Sequence, residues 1–146
     1  MCGILGIVGK DFSQNNIWIK NNILKITHRG PDDKGVWNSN DKLVCFGHTR
    51  LSILDISHKS HQPFVDTEKK VFLTFNGEIY NYLDLRGQLE KLGYKFRTNG
   101  DTEVLLKSYI QWKEDCFNKI EGMFAFSICD EKRQKVFLVR DQYGQK

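Results

Sequence analysis

The chain has 146 residues, the usual length of one domain, and its 40% hydrophobic and 27% charged residues predict a packed core rather than disorder. The formal net charge is +4, but Lys and Arg alternate with Asp and Glu, so no basic stripe predicts nucleic-acid binding. No apolar run reaches about 18 residues, and no signal peptide is recognisable near the N-terminus. We therefore expect no membrane association and a cytoplasmic location.

The apolar patterning predicts nine elements in chain order. A strand at 3–8, a helix at 16–27 and strands at 43–48 and 71–75 come first. They are followed by a helix at 81–92, a strand at 94–97, a helix at 102–112 and strands at 123–129 and 135–139. Strands outnumber helices and do not alternate with them one for one. The predicted class is α+β, with two mainly antiparallel sheets packed together and covered by helices.

Three of the four cysteines lie inside apolar stretches and no Cys-x-x-Cys pair occurs, which predicts buried, reduced thiols at Cys45, Cys116 and Cys129. The four histidines are scattered through predicted loops without the spacing of zinc ligands, so we expect no metal site.

Cys2 directly follows the initiator methionine. If Met1 is removed, Cys2 carries a thiol and a free α-amine on one residue. The amine has a pKa of about 7.7–8.0, so it can take the proton of the thiol near neutral pH. This arrangement predicts a nucleophile with its own base, as in enzymes that use an N-terminal Thr. The alternative is that a small residue follows Met1 by chance.

Polar and glycine residues cluster at predicted element ends in five blocks, at 2–4, 28–32, 47–53, 75–81 and 100–103. Each block has an ordinary structural interpretation. The segment 28–32 can be a simple turn, and Asn76-Gly77 is a favoured hairpin dipeptide. Asp101 can be a helix N-cap, Arg50 a surface residue, and His48 a satisfied polar side chain at a strand end.

Taken together, the blocks predict one reaction. A thiol nucleophile needs donors for an oxyanion, which the Asn76 carboxamide and the Gly77 N–H can provide. An amino-acid substrate carries a carboxylate that Arg50 can bind through two N–H groups and an ammonium that Asp101 can pair with.

In this order, the blocks resemble the N-terminal glutaminase domain of class II glutamine amidotransferases, and most closely the asparagine synthetase (glutamine-hydrolysing) type. Further matching segments are 61–63, 121–126 and 140–144. The resemblance covers 1–146 as one glutamine amidotransferase type-2 domain. It implies an N-terminal nucleophile hydrolase fold, a four-layer αββα sandwich. It also places the loop 28–32 near the nucleophile.

The resemblance further implies that Cys2 attacks the side-chain amide of glutamine and forms a thioester, while Asn76 and Gly77 hold the oxyanion. The implied substrate-binding residues are Arg50, Leu51, Ile53, Glu78 and Asp101.

Members of this type continue into an ATP-dependent synthetase domain that consumes the ammonia, and this domain is not in the sequence. We expect no cofactor here, because ATP and Mg²⁺ belong to that synthetase domain. The protein could form a homodimer, and the sequence leaves this question open. Two alternatives also stay open: an amidotransferase domain that serves a sugar acceptor, and a non-catalytic glutamine-binding or interaction domain with an idle thiol. Retained Met1 would favour the second, because the Cys2 amine would then lie in a peptide bond.

Overall fold

Two antiparallel sheets form the centre of the protein in the computed structural model, which describes residues 2–9 and 12–146, without the side chains of 12–14. The strands are β1 Gly3–Val8, β2 Asp33–Asn38, β3 Val44–Arg50, β4 Phe64–Asp66, β5 Val71–Ile79, β6 Gly122–Asp130 and β7 Lys135–Arg140. The helices are α1 Phe12–Ile23, α2 Tyr82–Lys91 and α3 Asp101–Trp112. Short 3-10 turns span Leu24–Arg29, His58–Ser60 and Lys113–Asn118.

The first sheet has the order β1-β3-β2 and the second has the order β4-β5-β6-β7. In the first sheet, Gly3 lies opposite Thr49 and Asp33 lies opposite Arg50, so the starts of β1 and β2 meet the end of β3. In the second sheet, β4 is short and covers β5 only as far as Leu73. Among the described residues, the remaining length of that edge of β5 has no neighbouring strand.

Successive side chains of β5 point alternately into two different layers of the fold. Leu73 and Phe75 face the larger core, which they share with α2 and α3, whereas Phe72 faces the first sheet. There the Phe72 ring stacks on Trp37 of β2 with ring centroids 3.8 Å apart. On the other face of the first sheet, α1 packs on β3 and buries Ile19 completely. The order of layers is therefore helix, sheet, sheet, helices, which is the predicted four-layer α+β sandwich.

The prediction of a strand at 94–97 is wrong. Tyr94 and Phe96 pack against the core from a loop. The backbone N–H groups of Arg97 and Thr98 donate to the Glu103 carboxylate at 3.0 and 2.8 Å, so a side chain from α3 takes the place of a partner strand.

Other element bounds also differ from the pattern. The first helix begins at Phe12 and ends at Ile23, where a 3-10 turn continues the helical spacing to Arg29. The strands β2 and β4 were not predicted, because β2 is a largely polar edge strand and β4 has only three residues. The third predicted strand ends at Phe75, whereas β5 runs through to Ile79.

The cysteine prediction is confirmed: all four thiols are free, and the three predicted to be buried are buried. Within the described residues, no helix is long and apolar enough to cross a membrane.

Candidate active site

One cleft between the ends of the two sheets contains every residue that the sequence singled out for catalysis or substrate binding. Its lining includes Cys2, Arg50, Leu51, Ile53, Asn76, Gly77, Glu78 and Asp101. These residues come from the start of β1, the end of β3 and the loop after it, the last part of β5, and the start of α3. The fold therefore brings together segments that are up to 99 positions apart in the chain.

Cys2 is half-buried at the start of β1. The backbone N–H of Leu51 donates to its Sγ at 3.4 Å, and the Arg29 Nε donates to its carbonyl at 3.2 Å. These two bonds hold the sulfur and the backbone of Cys2 against the end of β3. Met1 and the question of its removal lie outside the described residues.

The loop 28–32 braces this end of the first sheet, next to the nucleophile as the resemblance implied. Gly30 is so close to the backbone of Thr49 and Arg50 that a Cβ at this position would overlap both. The Asp32 N–H donates to the Arg50 carbonyl at 3.0 Å, and the Asp32 carboxylate accepts from the Ser52 N–H at 2.7 Å. The loop 28–32 is a turn that fixes the path of the chain from Arg50 into the cleft.

Arg50 is a buried cation, not a surface residue, with 7% of its surface exposed. Its guanidinium donates to the carbonyl oxygen of Ser57 at 3.0 Å and to that of Asp55. Among the described residues it takes part in no ion pair. A buried charge without a counter-charge is costly, and the guanidinium of Arg50 can bind an anion that enters the cleft.

Asp101 is the opposite charge in the same cleft, with 5% of its surface exposed. It is the first residue of α3, and Gly100 rather than Asp101 occupies the N-cap position. Its carboxylate accepts from the Ile79 N–H at 3.0 Å. Burial raises the pKa of Asp101 to about 6, and the negative charge of Glu78 adds to this, against the lowering effect of the Ile79 bond. No cation of the described chain pairs with it.

The uncovered edge of β5 passes through the cleft. At Phe75, the N–H donates to the Gln62 Oε1 at 2.8 Å and the carbonyl accepts from the His48 Nε2 at 3.1 Å. At Ile79, the N–H donates to Asp101. Backbone groups of alternate residues face the same edge of a strand, so the N–H of Gly77 also faces this edge. It lies between the N–H groups of Phe75 and Ile79, which donate to the side chains of Gln62 and Asp101.

Asn76 and Gly77 are therefore strand residues, paired with Ala125 and Phe124 of β6, and the hairpin interpretation is wrong. A Cβ on Gly77 would overlap the carbonyl of Met123, so only glycine allows β6 to approach here. Asn76 is 7% exposed, and no hydrogen bond between described residues uses its carboxamide. Its amide donor is free for a ligand.

The sequence did not single out Asp55, which organises the loop after β3. Its carboxylate accepts from the Ser57 N–H at 2.8 Å and from the Asn99 N–H at 2.9 Å, while its carbonyl accepts from Arg50. Hydrogen bonds from Ser57 and Asn99 hold the pKa of Asp55 below its usual range. The Asp-x-Ser spacing, typical of a side-chain-closed turn, was the available signal. Gln62 and Ser60 also line the cleft and were not predicted as site residues.

No group of three or more potential metal ligands occurs in the described part of the chain. The chemistry available in the cleft is that of a thiol, two unpaired buried charges of opposite sign, and open backbone and amide donors.

The whole chain, residues 1–146, matches the family model described as a glutamine amidotransferase domain. The chain belongs to this family. It is 44% identical over its full length to asparagine synthetase [glutamine-hydrolyzing] 3 of Bacillus subtilis and 41% identical to a putative asparagine synthetase [glutamine-hydrolyzing] 2 of Methanocaldococcus jannaschii. It spans 24% and 31% of the lengths of these two relatives.

The fold is shared with solved structures. A glutamine phosphoribosylpyrophosphate amidotransferase from B. subtilis superimposes with a TM-score of 0.77 over 99% of this chain and 38% of that chain, at 19% identity. A second structure, described as the allosteric regulatory enzyme of purine biosynthesis, gives the same TM-score at 20% identity. The predicted family and the predicted N-terminal nucleophile hydrolase fold are confirmed.

Proposed function

We propose that this domain hydrolyses L-glutamine to glutamate and ammonia, with Cys2 as the nucleophile after removal of Met1. One observation supports this most strongly: a half-buried thiol, a buried guanidinium and a buried carboxylate without counter-charges, and an open strand edge share a single cleft. A molecule that carries a carboxylate, an ammonium and an electrophilic amide complements these groups.

Substrate binding follows from the charges. Arg50 binds the α-carboxylate of glutamine, and Asp101 binds the α-ammonium, with Glu78 adding negative charge beside it. Leu51 and Ile53 line the same cleft, and their backbone contacts the substrate. Both buried charges are then paired, which is the arrangement that buried ions require.

The reaction has two halves. The α-amine of Cys2 takes the thiol proton, and the thiolate attacks the side-chain amide carbon of glutamine. The carboxamide of Asn76 and the N–H of Gly77 donate to the oxyanion that forms. The C–N bond breaks, the leaving nitrogen takes the proton from the α-amine, and ammonia departs. Water then attacks the thioester, which releases glutamate and restores the thiol.

The chain covers less than a third of the two relatives named above, whose names combine glutamine hydrolysis with asparagine synthesis. We propose accordingly that this domain supplies ammonia to an ATP-dependent synthetase domain of a longer cytoplasmic protein, with asparagine as the product. A sugar acceptor and a homodimer are the other arrangements to be tested on the full-length protein.

The direct test is release of ammonia from glutamine by the purified domain, together with the mass of its N-terminal peptide. Protein that begins at Cys2 should hydrolyse glutamine, and a glutamine-like diazo-ketone should label Cys2 alone among the four cysteines. A processed protein that releases no ammonia would refute the proposal. A protein that retains Met1 should be inactive until the methionine is removed enzymatically.

A further inference from the structure

The backbone N–H and carbonyl of Phe75 are held by two side chains, where a neighbouring strand would normally hold them. Gln62 accepts from its N–H at 2.8 Å, and the His48 Nε2 lies 3.1 Å from its carbonyl oxygen. Both side chains are buried, His48 completely and Gln62 with 5% exposed. The next residue along β5 is Asn76, so these two bonds act directly before the proposed oxyanion donors.

His48 has an arrangement that packing alone does not require. Burial lowers its pKa to about 4, so the ring is neutral near pH 7 and carries one N–H. A carbonyl oxygen only accepts, so this N–H is on Nε2. The Nδ1 is then an acceptor, and no described residue donates to it. An unpaired buried acceptor is unfavourable, which an apolar side chain in this position would avoid.

We propose that His48, together with Gln62, is a positioning residue that presents Asn76 and Gly77 to the oxyanion. The inference rests on the proposed glutaminase reaction. A third strand along β5 could hold Phe75 equally well, but it would also cover Gly77. Two side chains that end at Phe75 hold the strand and leave the next outward-facing N–H open.

His48 also joins the two sheets. It belongs to β3, which ends two residues later at Arg50 and is followed by Leu51, the donor to the Cys2 sulfur. Its bond to β5 therefore fixes the distance between the part of the site that holds the nucleophile and the part that stabilises the transition state. Misplacement of a catalytic group by about 1 Å can cost about 100-fold in rate.

The test compares His48→Met with His48→Gln, which have similar length and differ in the terminal amide donor. The Met variant should lose about 10- to 100-fold in kcat, with KM for glutamine changed by less than about threefold, since substrate charges are bound elsewhere. The Gln variant should recover most of the loss, because its amide can donate to the Phe75 carbonyl. Gln62→Met should lower kcat in the same way.

Thr74→Val is the matched control, because Thr74 is buried on β5 one residue before Phe75 and its hydroxyl has no partner among the described residues. Its kcat should equal that of the parent. The Gly77 amide resonance should shift in His48→Met and return in His48→Gln, which reports positioning without activity.

Parent kcat in His48→Met, or equal losses in the Met and Gln variants, would overturn the inference while the glutaminase function stands. If His48→Met does not fold, the kcat values of Gln62→Met and His48→Gln test the inference instead. A processed parent without glutaminase activity would overturn both.

Discussion

Replacement of Asp101 by Asn removes one charge from the cleft and keeps the side chain's structural bond. The amide oxygen of Asn can still accept from the Ile79 N–H, which the carboxylate accepts at 3.0 Å. The α-ammonium of glutamine loses its anionic partner. We therefore expect weaker glutamine binding with little change in the rate of the bound complex.

The magnitude follows from the burial of Asp101, which is 5% exposed. Two opposite charges about 4 Å apart interact by about 4 kcal/mol at an effective dielectric constant of about 20. Loss of one partner of a buried charge pair costs about 2–5 kcal/mol at interfaces. Glu78 remains beside the ammonium, so the lower figure applies. About 2 kcal/mol corresponds to an increase of about 30-fold in Kd.

The pH dependence gives a second, independent signature. Only ionised Asp101 pairs with the ammonium, and its pKa in the free protein is raised to about 6. Glutamine affinity of the parent should therefore be constant between about pH 7 and pH 8 and fall up to tenfold per unit below about pH 6. Asp101→Asn should show no such decrease, because it has no proton to gain there.

Isothermal titration with glutamine in the Cys2→Ala background measures both effects without turnover. Thermal unfolding checks that the variant keeps its fold. An acid whose folded pKa is raised destabilises the fold above its unfolded pKa, so Asp101→Asn should not lower the Tm near pH 8. An unchanged Kd with a lower Tm would refute the reasoning.

Three further changes test the remaining roles. Asn76→Ala should lower kcat by about 10²–10³-fold with a smaller effect on KM in steady-state assays, and a change confined to KM would contradict an oxyanion role. Arg50→Ala should raise KM at least about tenfold, and glutamine amide, which lacks the carboxylate, should be a poor substrate of the parent. Cys2→Ala should abolish ammonia release, whereas Ala at each buried cysteine should retain it with a lower Tm: Cys45, Cys116 and Cys129.

The segment 75–81 shows where prediction of the fold from the sequence fails. Its apolar alternation predicts a strand as far as Phe75, where Asn76-Gly77 then reads as a turn by local preference. The structure continues β5 to Ile79 because β6 pairs with it throughout. Long-range pairing overrides the local preference, and β6 lies more than 40 positions away in the chain. No local pattern contains that information.

The sequence could propose candidate site residues that share one cleft for a different reason. Cys2, Arg50 and Asp101 are of types that chemistry at an amino-acid substrate requires, and they occur at element ends, where clefts form. The contributions of Asp55, Gln62 and His48 were not predictable in this way. Each makes a hydrogen bond to a backbone group of a distant segment, and the sequence does not show which segment that is.

The proposed catalytic groups are divided between the two sheets, so the proposed mechanism depends on the interface between the sheets. The first sheet carries Cys2 and Arg50, while the second carries Asn76 and Gly77. Neither set contains a complete active site. Two contacts between the sheets set the spacing of these two groups of residues. One is the stack of Trp37 on Phe72, and the other is the hydrogen bond from His48 to the Phe75 carbonyl. In the proposed mechanism, rigid inter-sheet packing therefore contributes to catalysis, because it would hold the sulfur and the oxyanion donors at the distance that one amide carbon requires.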